Sequence, residues 1–96
     1  MRFVLRIDHR VADYDGWKQA FDSDPADRKG SGVLRYDVSR AVDDPNHVVI
    51  DLEFETVAEA EALLASMRDV WQAVEPAGLI EGPQARIVEV VETKAY

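Results

Sequence analysis

The sequence contains no cysteine. Disulfides, thiolate metal sites and a cysteine nucleophile are excluded, and the absence suits a reducing compartment. No apolar run approaches the roughly 20 residues a helix needs to span a bilayer. The start, Met1-Arg2-Phe3-Val4-Leu5-Arg6, lacks the apolar stretch of a secretory signal because Arg6 and Asp8 break it. The cytoplasm is the expected location. Positive charge is scarce: 11 Lys and Arg stand against 19 Asp and Glu, a formal net charge of −8. Nucleic acid and anionic membranes both call for a basic surface, so neither is an expected partner. Histidine occurs only at His9 and His47, which limits acid–base chemistry near neutral pH to few carriers.

What is present is a globular balance, 47% hydrophobic and 31% charged, in 96 residues. That fits one domain, residues 1–96, rather than a disordered chain. Arg2 to Val11 alternates, with Phe3, Leu5, Ile7, His9 and Val11 on one side, and predicts a strand with one dry face. Asp13 then precedes Tyr14, Trp17 and Phe21, the spacing of a short helix with an aspartate N-cap. Asp22 to Gly32 (DSDPADRKGSG) reads as a loop. Val33–Val42 and His47–Phe54 alternate again, joined by an Asp43-Asp44-Pro45-Asn46 turn, and predict a hairpin. Thr56-Val57-Ala58-Glu59 is a capping box, followed by helical spacing through Trp71. Pro76 stops that helix by Glu75. Ala77–Gln84 carries two glycines and a proline and reads as a loop; Ala85–Thr93 reads as the last strand.

The order strand, helix, strand, strand, helix, strand, with right-handed crossovers, gives an α+β fold of ferredoxin-like type. Four antiparallel strands would carry both helices on one face. The other face would hold Val4, Arg6, Asp8, Arg10, Arg35, Asp37, Val49, Asp51, Glu53, Arg86, Val88 and Val90. An antiparallel sheet tolerates such a face in water. Valines among charges of both signs favour instead a homodimer in which two open faces pack together.

The order of elements, the segment His9-Arg10-Val11-Ala12-Asp13-Tyr14-Asp15-Gly16-Trp17, and the run Val48 to Phe54 followed by Thr56-Val57-Ala58-Glu59-Ala60 resemble the dimeric α/β-barrel superfamily. Within it the chain is most similar to small antibiotic biosynthesis monooxygenase-like proteins. The resemblance implies a barrel formed by two copies. It also implies an oxygenase without metal or flavin, in which the substrate's own carbanion reduces oxygen. Haem-degrading members place a histidine on the second helix; Thr56 to Gln72 has none, which argues against haem.

The candidate site is the layer between helices and sheet. His9 would be the base and Tyr36 an orienting donor, with Trp17, Phe54 and Trp71 as walls for a small aromatic or polyketide-like substrate. The plainer alternative makes His9 a core or rim residue and the tryptophans core. His47 falls on the opposite face, so a His9–His47 metal pair is not expected, and no cofactor is called for. The aspartates near Asp13 and Asp22 lack the spacing of a calcium loop. Arg28-Lys29-Gly30-Ser31-Gly32 lacks the pattern of a phosphate loop and reads as flexible, with weak anion binding at most. Three functions remain: a cofactor-independent oxygenase, a non-catalytic dimeric module binding a ligand or a protein, and an acid–base isomerase or cyclase.

Overall fold

The computed structural model describes residues 2–96. Its elements are β1 (Arg2–Val11), α1 (Tyr14–Asp22), β2 (Arg35–Ala41), β3 (Asp44–Phe54), α2 (Val57–Val74), a single 3-10 turn (Glu75–Ala77) and β4 (Ile80–Val90). The strands form one antiparallel sheet in the order β2-β3-β1-β4. This is the ferredoxin-like βαββαβ arrangement that the alternation predicts. No helix of the described residues is long and apolar enough to cross a membrane.

Both helices begin where the caps place them. The Asp13 carboxylate accepts the Gly16 N–H at 2.9 Å. The Thr56 hydroxyl accepts the Glu59 N–H at 3.2 Å and donates to the Glu59 carboxylate at 2.8 Å. Each cap satisfies a backbone donor that the first helical turn leaves open.

The core follows the dry faces. Leu5, Ile7 and Val11 of β1 and Val48, Ile50, Leu52 and Phe54 of β3 are buried against Ala60, Leu63, Leu64 and Trp71 of α2. The α2 helix lies over β3, β1 and β4. The edge strand β2 lies beyond this cover. Tyr36, expected in the layer between helices and sheet, is 41% exposed, and Leu34 just before the strand is 54% exposed. The α1 helix buries no residue fully; its Tyr14, Trp17 and Phe21 reach inward to the core instead.

The last strand differs most from expectation. It starts at Ile80, inside the stretch read as a loop, and ends at Val90. The pairing with β1 runs from Asp8↔Gln84 to Arg10↔Glu81, so β4 carries one extra residue there. Gly82 takes φ +61 and Pro83 follows it. A glycine that tolerates positive φ and a proline that donates no hydrogen bond are signatures of a bulge as much as of a loop. Similarly, β3 starts at Asp44, and the turn residues Pro45 and Asn46 lie within it.

Candidate functional site

Because α1 reaches the core through large side chains, a space opens between it, α2 and the sheet. The cavity has a volume of about 250 Å³. Ile7, Ile50 and Leu52 floor it, Trp17 and Phe21 of α1 and Leu63, Met67 and Trp71 of α2 wall it, and Pro25, Ala26 and Arg28 border it from the α1–β2 connection. The lining is overwhelmingly apolar, as in a small-molecule site with a few polar points.

His9 is one of those points. Alternation along β1 aims it toward the helices with Leu5 and Ile7, and the β4 bulge falls beside it. It is only 3% exposed. Its ring meets Trp17 edge-on at 5.9 Å and Trp71 at 6.5 Å. Its Nδ1 lies 3.2 Å from the Arg10 carbonyl oxygen. That oxygen can only accept, so Nδ1 carries the hydrogen and Nε2 of the neutral ring keeps its lone pair. Among the described residues no side-chain nitrogen or oxygen is sealed off without a partner. Nε2 bonds to none of them and is not sealed off, and His9 lines the cavity. Burial lowers the His9 pKa from 6.5, with a smaller push the same way from His47; the Arg10 carbonyl and Asp8 act in the opposite direction. Burial dominates because the charged ring loses hydration it cannot replace.

Three of the five candidate residues therefore meet at the cavity: His9, Trp17 and Trp71. Tyr36 does not line it. An aromatic row runs from Trp17 to Phe21 at 5.1 Å and from Phe21 to Tyr36 at 5.4 Å, and Tyr36 stands at its far end on the edge strand. Phe54 does not line it either, being fully buried in the core. His9 pairs with Val48, and Phe54 lies six positions along β3, about 20 Å at strand rise. A shared face is thus not a shared pocket.

Phe21 is a wall residue that the sequence does not single out as functional, and Arg28 is one that it offers only within a stretch credited with weak anion binding at most. Arg28 was hidden in a stretch rich in glycine and aspartate. That stretch is pinned: the Asp24 carboxylate accepts the Arg28 N–H at 3.0 Å, Asp27 accepts the Gly30 N–H at 3.2 Å, and the Ser31 hydroxyl donates to the Ala26 carbonyl at 2.8 Å. The legible signal was the aspartates, whose carboxylates hold turns by local bonds of this kind. His47 lies 3.9 Å from Asp8 on the opposite face, away from His9. Among the described residues no three His, Cys, Asp or Glu side chains gather as a metal site.

No family model matches the sequence, and no curated protein does. Solved structures do. SnoaB, a cofactor-independent oxygenase from Streptomyces nogalater, superposes with a TM-score of 0.74 at 15% identity, covering 96% of this chain and 95% of its own. A protein from Nitrosomonas europaea, provisionally described as an antibiotic biosynthesis monooxygenase, gives 0.70 at 17% identity over 97% and 94%. A dimeric ferredoxin-like protein from an uncultured marine organism gives 0.65 at 15% identity over 97% and 98%. At such identities it is the path of the backbone that is shared, and by that path this chain has the ferredoxin-like fold of the antibiotic biosynthesis monooxygenase-like proteins.

Proposed function

We propose that this chain, as one domain in a cytoplasmic setting, is a cofactor-independent oxygenase for small aromatic substrates. The observation that carries this reading is His9, a neutral imidazole with Nδ1 tied to a carbonyl, at the wall of an apolar cavity between two tryptophans. An apolar cavity of about 150 Å³ accepts one benzene ring. The larger volume here, about 250 Å³, suits one or two fused rings. His9 Nε2 would take the proton of an activated CH₂ beside a phenol or ketone. The carbanion then reduces O₂ and forms the C–O bond. Loss of water from the hydroperoxide turns CH₂ into C=O, so one oxygen atom ends in the product and the other in water. Trp17 and Trp71 would hold the rings flat and keep bulk water out. Oxygen uptake with a panel of anthrones and quinols tests the reading. Consumption of one O₂ per substrate supports it. Conversion without oxygen uptake would favour an isomerase, and binding without conversion a ligand-binding module.

We further propose that the active form is a homodimer through the open sheet face. Across the four strands, directly paired residues form the row Asp37, Asp51, Arg6, Arg86. Arg6 is bonded to Asp51 at 2.8 and 3.1 Å. The outer neighbours are like-charged, Asp37 beside Asp51 and Arg86 beside Arg6, which is unfavourable within one sheet. A second copy resolves this. A two-fold axis parallel to the strands lays β2 of one copy over β4 of the other. Asp37 then faces the partner subunit's Arg86. Val4, Val88 and Val90 line a groove on the same face and would supply dry contact. Arg86→Glu is expected to relieve repulsion in the single copy yet weaken dimerisation by about ten-fold or more. Adding Asp37→Arg to the same chain should restore it. Sedimentation equilibrium reads both; a native monomer at micromolar concentration, or no rescue by the double variant, contradicts this arrangement.

A further inference from the structure

Arg28 is the one cationic residue among those lining the cavity. Its side chain is 13% exposed. The guanidinium stacks on Phe21 at 3.9 Å and on Tyr36 at 4.8 Å. Nη1 donates to the Phe21 carbonyl at 2.8 Å, and Nε stands 3.4 Å from the Asp24 carboxylate. Nη2 has no protein partner among the described residues. A planar cation held by its faces, lining an apolar space with Nη2 unpartnered, is suited to receive an oxyanion. Among the residues lining the cavity the one carboxylate, Asp13, is occupied by the Gly16 N–H as a helix cap. His9 and Arg28 stand at opposite ends of the Trp17–Phe21 stack.

We propose that Arg28 is the recognition residue for an anionic group on the ligand. The ligand class is then a compact aromatic acid, one or two fused rings bearing a carboxylate, with its apolar body between Trp17, Phe21 and Trp71. This rests on the cavity being the ligand site, as proposed above. The net charge of −8 disfavours anions in general, so a preference for an acid over its neutral analogue reports a local cation. Asp24 partly offsets Arg28, which keeps the expected preference moderate.

The test is calorimetric titration at pH 7 and low salt with 2-naphthoate and with 2-naphthol. The native protein is expected to bind the acid about ten-fold more tightly than the naphthol. Arg28→Gln should weaken the acid by about ten-fold and leave the naphthol within about two-fold. Should Arg28→Gln not fold, Arg28→Met, which keeps apolar packing on Phe21, takes its place with the same expected values. Equal binding of the two probes by native protein, or an acid preference that survives loss of the guanidinium, overturns the proposal while leaving the cavity as a ligand site. Binding of neither probe overturns both.

Discussion

His9→Gln is expected to lower turnover of any substrate by about 100- to 10,000-fold, the range a positioned general base contributes. Glutamine is chosen because it approaches the imidazole in length and keeps a polar amide at the Nε2 position while carrying no basic nitrogen. The variant should therefore fold and bind while lacking a base at the cavity. In the native protein the acid limb of kcat/KM should lie below pH 6.5, because burial lowers the His9 pKa and a base works only unprotonated. Activity is then flat through neutral pH and falls on acidification. Stability moves in the same direction. Between the depressed folded pKa and the unfolded value near 6.5, the unfolded chain binds the proton more readily. Stability is thus undiminished above about pH 6.5 and is lost as pH falls through the folded value. In His9→Gln this part of the pH dependence should vanish. A variant with native turnover would remove His9 from the chemistry.

Phe54→Ala is expected to cost about 3–5 kcal/mol of stability, the usual range for emptying a buried phenylalanine site. Phe54 is completely buried at the end of the sheet remote from His9. For a domain whose total stability is on the order of 5–15 kcal/mol, that loss is severe. Phe54→Leu, a milder change of shape, keeps the test practical if the alanine variant does not fold. In either variant that folds, affinity for 2-naphthol should match native protein, because Phe54 does not line the cavity. Urea unfolding and calorimetry read the two quantities separately. A large loss of affinity with little loss of stability would return Phe54 to the pocket.

These two residues illustrate how far the sequence could be read. Alternation in β1 and β3 placed His9 and Phe54 on the helix side, and both are there. Periodicity reports which face a residue takes, but not its distance along the strand from a pocket. Tyr36 makes the same point across the sheet: its parity was right, yet the edge strand extends beyond the cover of α2. The bulge in β4 and the pinned order of Asp22–Val33 were missed for a common reason. Glycine, proline and aspartate mark a departure from regular geometry without saying whether the departure is a loop, a bulge or a set of local turns. Arg28 was lost with that segment. The cavity itself depends on how far α1 stands from the sheet, which follows from the packing of Trp17 and Phe21 together and has no signature in a linear pattern. By contrast the caps at Asp13 and Thr56 were legible, because they rest on side chains bonding within one helical turn.

The most direct measurement is a long-range ¹H–¹⁵N correlation spectrum of the imidazole nitrogens at pH 7, with and without 2-naphthol. The two histidines are separated by comparison with His9→Gln. The account predicts that His9 is neutral, with the hydrogen on Nδ1, and that its bare Nε2 resonance moves when the naphthol binds, while His47 is unaffected. A His9 ring with its hydrogen on Nε2, or an Nε2 resonance indifferent to bound naphthol, would contradict it.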